Sequence, residues 1–410
     1  MKGSTRLISL SSAVAVLAVA ATTLRAQDWP QWRGPNRDDK VAGFTPPKTW
    51  PEQLKKKWTV PVGQGDATPA LVGGKLYVFT RQGDNEILEC LDADKGTLVW
   101  SNQYEALPAT GPAGRHPGPR SSATVAEGKV VTLGVRGTLS CLDAQSGKLL
   151  WRKDEIKGWP NFFTGMSPLV TQGLCIAHLG SKSSGALVAY DLSSGAEKWK
   201  WTGDGPAYAS PVLMSVGEDK LIVTQTDHQV VALKLADGSL AWETSYAGKG
   251  MGAGNYDTPI VNGQTILYTG TSRGTVAVRL SKQGDAFSAT GLWTNLDNSP
   301  RFCTPVLKDG FLYGLSEQGN FYCINALTGQ TAWTETAGGH DNFGSVLDAG
   351  PVLVALTSKS RLIVFEPGGK EYSQVASIPV SDKPIYAHPV LVGNRLFVKD
   401  ADSLTLFTLE

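Results

Sequence analysis

Three histidines and one aspartate in this 410-residue sequence are of the types that bind metal ions. His116, His340 and His388 lie in, or at the end of, loops that precede a short apolar strand, and Asp66 lies in another such loop. Three imidazoles and one carboxylate could hold a transition metal. No metal-binding spacing connects the four residues, and exposed or hydrogen-bonded histidines are the simpler explanation. The metal site is therefore a hypothesis, and we expect no metal.

The same loops carry a larger group of aromatic and basic side chains. Three positions before the proline that opens the strand, or its equivalent, five consecutive loops have an aromatic residue: Tyr208, Tyr256, Phe302, Phe343 and Tyr386. The three earlier loops have Asp66, Ser121 and Gly165 at this position. Arginines lie one position further back or in the loop between the second and third strands of a repeat: Arg120, Arg301, Arg81, Arg136 and Arg273.

These aromatic and basic side chains predict a binding face. Aromatic residues and arginine are enriched at binding hot spots, and a guanidinium pairs with carboxylate or phosphate through two hydrogen bonds. The structural alternative is that the aromatic rings fill the gaps between repeats at the rim. The longest insertion, residues 105–122, is rich in Gly and Pro, and we expect it on the working face.

The sequence has no motif of a known catalytic nucleophile or phosphate loop. G-x-S-x-G, H-E-x-x-H and a P-loop are all missing, so catalytic residues stay unknown. Of the five cysteines, Cys90, Cys141 and Cys323 occupy the same position of a repeat, on a predicted interior strand. Cysteine at such a position behaves as a small apolar residue, so we expect buried free thiols.

A recurring tryptophan identifies the elements that position these loops. LDADKGTLVW ends at Trp100, LDAQSGKLLW at Trp151 and INALTGQTAW at Trp333, each with a glycine four residues before the tryptophan. Two further copies end at Trp199 and Trp242, and a stretched copy ends at Trp293. Short strands repeating every 40 to 51 residues predict a β-propeller.

Eight predicted first strands give an all-β, eight-bladed propeller of four-stranded antiparallel blades. The eighth blade reaches Glu410 after three strands, and the segment KKKWTVPV, with Trp58, supplies the fourth. This N-terminal strand closes the ring and removes an exposed edge. We divide the chain into residues 1–26, 27–54 and 55–410. The middle segment is expected to be an extended arm packed over the ring, with Trp29 and Trp32 as anchors.

The first 26 residues read as a signal peptide, with basic residues, an apolar run and a small-residue cleavage site. The rest of the chain carries 35 Lys+Arg and 37 Asp+Glu, which indicates neither nucleic acid nor an anionic membrane as partner. No cysteine follows the apolar run, so we expect no lipid anchor. The expectation is a periplasmic or extracellular protein without a transmembrane segment, and a monomer because the ring has no free edge.

The repeat resembles that of the pyrroloquinoline quinone (PQQ)-type propellers, whose blades carry A-x-D-x-x-T-G-x-x-x-W. The resemblance covers nearly the whole chain from Trp58 to Glu410. It implies one of two groups: the PQQ- and Ca²⁺-dependent dehydrogenases, or the cofactor-free propellers similar to BamB, a scaffold of outer-membrane barrel assembly. The dehydrogenases typically have two adjacent cysteines over the quinone, and no two cysteines are neighbours here.

From these observations we expect a non-catalytic exported scaffold without a cofactor. Its partner would be an envelope protein or a small anionic or carbohydrate ligand, bound through one loop face. Two alternatives remain open. One is a quinoprotein oxidoreductase using PQQ and Ca²⁺. The other is a carbohydrate-active enzyme at the mouth of the channel.

Overall fold

The computed structural model describes residues 28–182, 184–248, 254–335, 339 and 342–409. Within these ranges the chain forms thirty-two β-strands and one 3-10 helix, Gly111–Ala113. The strands make eight four-stranded antiparallel sheets. The predicted all-β, eight-bladed propeller is therefore confirmed. The predicted signal peptide, residues 1–26, lies outside the described residues.

Each blade has strands A to D, running from the centre of the ring to its rim. The first strand of the chain is β1 (Lys55–Pro61). Blade 1 has β2 (Ala70–Val72), β3 (Lys75–Gln82), β4 (Asn85–Asp92) and β5 (Leu98–Glu105). Blade 2 has β6 (Thr124–Ala126), β7 (Lys129–Leu133), β8 (Leu139–Asp143) and β9 (Leu149–Lys153). Blade 3 has β10 (Leu169–Thr171), β11 (Leu174–Leu179), β12 (Ala186–Asp191) and β13 (Glu197–Trp201). Blade 4 has β14 (Val212–Val216), β15 (Asp219–Gln225), β16 (Gln229–Lys234) and β17 (Leu240–Ser245).

The second half of the ring repeats this order. Blade 5 has β18 (Ile260–Asn262), β19 (Thr265–Gly270), β20 (Gly274–Gln283) and β21 (Ala286–Asn295). Blade 6 has β22 (Val306–Lys308), β23 (Phe311–Leu315), β24 (Phe321–Asn325) and β25 (Thr331–Thr334). Blade 7 has β26 (Gly344–Asp348), β27 (Leu353–Thr357), β28 (Arg361–Phe365) and β29 (Gln374–Pro379). Blade 8 has β30 (Val390–Val392), β31 (Arg395–Lys399) and β32 (Ser403–Thr408), and its outer strand is β1.

The N-terminal strand closes the ring as the sequence predicts. β1 pairs antiparallel with β32, with Val60 opposite Leu404 and Trp58 opposite Leu406. The first and last strands of the propeller therefore share one sheet, and β32 has a partner on its outer side. Closing the ring in this way removes the strand edge through which an open sheet could pair with another chain.

Strands B and C form the apolar core of the blades. β27, for example, is buried at all five positions, and β8 at four of five. These strands are covered on both faces by the neighbouring blades, so their sequences are nearly continuous apolar runs. Strand D alternates between half-buried and exposed positions, as β5 does, because one face meets solvent.

The repeated tryptophans and glycines lock adjacent blades together. A Cβ atom added to Gly195 of blade 3 would lie 2.8 Å from Cγ of Trp151 in blade 2. The indole Nε1 of Trp151 donates to the carbonyl of Leu192, 3.0 Å away and also in blade 3. Trp58 packs in the same way against Gly96 of blade 1. The repeat is therefore the contact between blades, which explains its regular recurrence.

The arm before β1 lies inside the central channel. Trp29 exchanges two backbone hydrogen bonds with Leu71 on the innermost strand of blade 1, and the carbonyl of Pro30 accepts from Val125 N of blade 2. Residues 32–37 then turn. The expectation of an extended arm packed over the ring is corrected: the arm enters the channel, where the exposed backbone of the inner strands offers it hydrogen-bond partners.

Arginine side chains fasten the arm to distant blades. Arg37 is buried and donates to the carbonyl oxygens of Ser167 (3.1 Å), Pro211 (3.0 Å) and Pro168, in blades 3 and 4. Arg33 donates to the carbonyl of Pro305, 2.8 Å away in blade 6. Residues 29–41 thus fill the channel as a plug, which we call the channel plug.

The described residues contain no helix long and apolar enough to cross a membrane. All five cysteines are buried as free thiols. Burial raises the pKa of the Cys141 thiol to about 12, so this thiol is protonated and unreactive at neutral pH.

Candidate functional site

A belt of hydroxyl groups fixes the position along the ring axis of the loops that join strand D of one blade to strand A of the next. In six of these D–A loops, those of blades 1 to 6, a residue two positions before strand A uses its side-chain oxygen to accept the backbone N–H of the equivalent residue in the preceding blade. Six such bonds of 2.9–3.0 Å link His388, Thr68, Ser122, Ser167, Ser210, Thr258 and Thr304 in that order. The belt therefore holds the loop residues just before it at one level around the axis.

The hydroxyl belt corrects the sequence alignment of blade 2. Ser122 occupies the belt position there, as Thr68 does in blade 1. The residue two positions earlier is Arg120, so Arg120 and not Ser121 corresponds to Asp66 and to the aromatic residues. Ser121 is fully buried. The sequence alignment is wrong by one residue here because this loop has Ala123 where six of the other loops have proline.

The D–A loops surround a cavity of about 290 Å³ on the axis of the ring. Five aromatic residues predicted from the sequence line it together: Tyr208, Tyr256, Phe302, Phe343 and Tyr386. Arg120, Arg301, Asp66, His116 and His388 line it as well. The structure thus brings together one part of the predicted binding face. We call this space the axial cavity.

The five aromatic side chains form one continuous arc. The ring of Phe302 stacks on Tyr256 (4.1 Å between centroids) and on Phe343 (5.4 Å), from the blades on either side. Tyr208 meets Tyr256 edge to face at 5.7 Å, and Tyr386 meets Phe343 edge to face at 5.7 Å. Because both faces of Phe302 are covered by neighbouring rings, this residue presents its edge to the axial cavity.

Phe302 adopts a backbone conformation that a bulky residue rarely takes. Its φ angle is +57°, in the left-handed region, which costs an L-residue about 1–2 kcal/mol. Such conformations concentrate at functional sites, where the surrounding structure holds them in place. The backbone strain and the stacking on both sides fix the orientation of the ring.

The insertion closes the other side of the axial cavity. Pro112, Ala113 and His116 of the loop after β5 line the cavity opposite the aromatic arc. Arg136 of blade 2 anchors this loop by donating to the carbonyl of Pro108 at 3.0 Å. The arginine also lies over the ring of Trp159, 4.5 Å from its centroid. The expectation that the insertion lies on the working face therefore agrees with its place in the structure.

Three of the five predicted arginines lie outside the axial cavity. Arg136 holds the insertion, and Arg81 donates to the carbonyl of Ala106 at 2.6 Å. Arg273 donates to Asn255 Oδ1 at 2.8 Å and lies over the ring of Tyr246. Arg136 and Arg273 come from loops between strands B and C, and Arg81 comes from the end of strand B, where the sequence placed it in the loop. Each of the three side chains fastens the adjacent D–A loop. The prediction grouped these three arginines with Arg120 and Arg301 as binding residues. Their guanidinium groups instead donate hydrogen bonds to the D–A loops.

Arg120 and Arg301 are the two arginines that line the cavity. Nη2 of Arg120 donates to the carbonyl of His116 at 2.8 Å. Arg301 makes no hydrogen bond or ion pair with a described residue, and its carbon Cζ lies 5.6 Å from the centroid of the Phe302 ring. The axial cavity therefore contains one guanidinium that is only partly engaged and one that is available to a ligand.

The predicted histidines and Asp66 divide between two separate contacts. His116 Nδ1 lies 2.8 Å from Asp66 Oδ2, and the imidazole meets Tyr386 edge to face. His388 Nδ1 instead lies 3.7 Å from Oδ1 of Asp39, in the channel plug. His340 lies outside the described residues. Among the described residues no three His, Cys, Asp or Glu side chains gather as a metal site.

The channel plug supplies the floor of the axial cavity. Trp32 lines the cavity and packs on His388, with 5.5 Å between ring centroids. Arg33, beneath it, forms a fully buried ion pair with Asp39, 2.6 Å from Nε to Oδ2. The sequence singled out Trp32 as an anchor but not as part of the site. The belt residues Thr68, Ser210 and Thr304 also line the cavity. The signal for them in the sequence is the recurring Thr-Pro or Ser-Pro dipeptide.

Two buried ionisable groups lie close to the channel plug or within it. Burial raises the pKa of Asp257, in the D–A loop before blade 5, to about 7, although nearby polar groups and the charge of Arg33 act more weakly in the opposite direction. Burial also lowers the pKa of Arg37, in the channel plug, to about 9. Neither side chain lines the axial cavity, so we assign both to the stability of the fold.

A sequence model of the family described as outer membrane protein assembly factor BamB matches residues 84–335, more than half of the chain. The chain belongs to the BamB family. A BamB from Yersinia pestis is 24% identical over 346 residues, which covers 82% of this chain and 74% of that protein. The family model and this relative confirm the predicted resemblance to BamB-like and PQQ-like propellers.

Solved structures show the same fold in two functional groups. BamB from Moraxella catarrhalis superposes with a TM-score of 0.64 at 15% identity, covering 87% of this chain and 99% of that one. Quinohemoprotein alcohol dehydrogenase from Comamonas testosteroni superposes with a TM-score of 0.70 at 14% identity, covering 93% and 80%. Identities this low establish the architecture only, so the site must decide between binding and catalysis.

The residues of the axial cavity do not suit the Ca²⁺ that accompanies PQQ. Ca²⁺ takes six to eight oxygen ligands, several of them carboxylates. Asp66 is the one carboxylate among the described residues lining the cavity, and it is paired with His116. One paired carboxylate among the described lining residues does not provide the several carboxylate ligands that Ca²⁺ takes.

Proposed function

We propose that this protein is an exported propeller scaffold of the cell envelope that binds a partner protein through the D–A loop face. One observation carries the proposal: the aromatic arc and Arg301 form a fixed, partly exposed cluster at the mouth of a closed ring. Tyr386, at the edge of the arc, is 37% exposed. Membership of the BamB family supports the same interpretation.

The physical case rests on preorganisation. Aromatic and arginine side chains dominate binding hot spots because they bury a large area at a low cost in side-chain entropy. Here the rings are held by their neighbours, and Phe302 is held in a strained backbone conformation. A partner would meet a surface that is already ordered, so little further conformational entropy is lost on binding.

Crosslinking in cells tests this proposal. A photoreactive amino acid at Tyr386 should give one discrete adduct with an envelope protein. The matched position is Glu218, exposed in a turn between strands A and B on the opposite face of the ring. We expect no adduct from Glu218. Equal adducts from both positions, or none from Tyr386, would refute the assignment of the face.

Phe302→Gly gives a second test with the isolated partner. Glycine relieves the positive φ angle at this position, so the variant should fold, while the centre of the aromatic arc is lost. Loss of a hot-spot ring should weaken the complex by about 30-fold or more, since hot-spot truncations cost 2 kcal/mol or more. Arg279→Gln, an exposed substitution on the outer hairpin of blade 5, serves as the control and should leave affinity unchanged.

A second candidate function is catalysis at the axial cavity. The Asp66–His116 contact of 2.8 Å resembles the carboxylate that orients a histidine base in hydrolases. A carbohydrate-active enzyme would use His116 as its base, and His116→Gln would abolish turnover of uronic polysaccharides. Turnover by the wild-type protein that the variant lacks would favour this function over the scaffold.

A further inference from the structure

We propose that the axial cavity also binds a small organic monocarboxylate whose body is poor in hydroxyl groups. The proposal concerns a free small molecule and goes beyond the scaffold function. It rests on the size of the cavity and on the charge and hydrogen-bonding groups of its lining.

The size of the cavity suits a compact small molecule. Its volume of about 290 Å³ lies near the lower end of the range for small-molecule sites, about 300–1,000 Å³. The channel plug closes the bottom through Trp32, and the insertion covers the side opposite the arc through Pro112 and His116. A polymer therefore cannot thread along the channel axis, and a compact molecule can be enclosed on several sides.

The charge of the lining suits one negative charge. Arg120 and Arg301 are cationic, and Asp66 is the one carboxylate among the described lining residues. Leaving the two histidines aside, the described lining residues carry one excess positive charge. A carboxylate balances this charge, whereas a phosphate monoester, with about −1.5 to −2 charges at neutral pH, exceeds it.

Arg301 is the group that would receive the carboxylate. It lines the cavity without a hydrogen-bond or ion-pair partner among the described residues, unlike Arg120, which donates to two loop carbonyls. A guanidinium that is held in place without a counter-charge binds a carboxylate through two parallel hydrogen bonds. The planar rings of Phe302 and Phe343 lie 5.6 and 6.0 Å from its Cζ atom and restrict its movement.

The rest of the lining presents donors and positive ring edges. Thr68, Ser210 and Thr304 each accept a backbone N–H through the hydroxyl oxygen, and none donates a hydrogen bond to a described residue. Their protons are therefore available to acceptors on a ligand. The edge of Phe302, positive in its quadrupole, also favours an anion. The five aromatic rings of the lining favour an apolar body, because hydroxyl groups packed against them would lose water without gaining a hydrogen-bond partner.

Calorimetric titration of the purified chain with benzoate and benzamide tests the proposal. The two probes have nearly the same shape and differ in charge. We expect benzoate to bind at least about tenfold more tightly, equivalent to about 1.4 kcal/mol. Arg301→Gln should abolish this preference, and Arg301→Lys should restore part of it. Arg279→Gln, an exposed arginine far from the cavity, should change nothing.

Four results would overturn the proposal. Equal binding of benzoate and benzamide, or no heat from either, would remove the charge argument. A preference that survives Arg301→Gln would remove the assigned anchor. Phosphate or glucuronate binding as tightly as benzoate would contradict the ligand class. A peptide that ends in a free carboxylate and binds more tightly than benzoate would assign the cavity to a partner's chain end. The first three results leave the crosslink from Tyr386 unaffected and the fourth would support it, so failure of this proposal is distinguishable from failure of the scaffold function.

Discussion

Gly195→Ala tests whether the tryptophan of the preceding blade packs directly on the repeat glycine. Gly195 has a φ angle of +71°, and an added Cβ atom would lie 2.8 Å from Trp151 Cγ. Gly173, in the same blade, also has a φ angle of +71°, but nothing lies within 4 Å of its added Cβ atom. The pair of variants therefore shares the backbone penalty and differs in the steric contact.

The magnitude follows from these two contributions. Alanine in the left-handed region costs about 1–2 kcal/mol in both variants. Overpacking against a side chain that cannot move away adds about 1–3 kcal/mol, and only to Gly195→Ala. Atoms near the start of the indole cannot swing aside, and the Nε1 hydrogen bond to Leu192 holds the ring. We expect Gly195→Ala to be less stable than Gly173→Ala by about 2 kcal/mol.

Equilibrium unfolding in urea, followed by circular dichroism, measures this difference. A double-mutant cycle with Trp151→Leu adds a second check, because removing the indole should relieve most of the penalty of Gly195→Ala. Equal stability of the two glycine variants, within about 0.5 kcal/mol, would refute the reasoning. So would a cycle that shows no coupling between positions 151 and 195.

Two further predictions concern buried charged groups. Asp39→Asn leaves the buried guanidinium of Arg33 without its partner at 2.6 Å and should cost about 3–5 kcal/mol in urea unfolding. Asp94→Asn breaks the exposed pair with Arg395 at 2.9 Å and should cost less than about 1 kcal/mol; similar losses in both variants would contradict the assignment of the buried pair. The folded-state pKa of Asp257, raised by burial to about 7 from 3.8, predicts a stability contribution present below about pH 4 and lost as the pH rises through 7. Relative to wild type, Asp257→Asn should therefore gain up to about 4 kcal/mol between pH 4 and 8, measured from urea unfolding at each pH, and a constant difference would contradict the shift.

Part of the candidate site could be predicted from the sequence because its residues repeat with the blades. The recurring proline step aligned Tyr208, Tyr256, Phe302 and Tyr386, and the structure places all four around one cavity. The alignment slipped by one residue in blade 2, where alanine replaces the proline, so that Ser121 stood in the place of Arg120. A repeat-based prediction is accurate only where the residue that marks the repeat is present.

The arginines show what the repeat could not decide. Arg273 and Arg301 come from neighbouring loops of the same face, yet Arg273 is engaged by Asn255 and Tyr246 while Arg301 lines the cavity without a partner among the described residues. Which guanidinium is available depends on the loops packed around it. The sequence alone carries no information on that contact.

The architecture of this protein was determined by its sequence, because each blade is built from local hairpins and one repeated contact. The tryptophan and the glycine four residues before it specify how one blade meets the next, and their number specifies the ring. The axial cavity was decided only by the tertiary structure. Its floor comes from the channel plug, where Arg33 reaches the carbonyl of Pro305, a residue 272 positions away. Contacts over such distances leave no periodic pattern in the sequence, since they form only after the ring has closed around the plug.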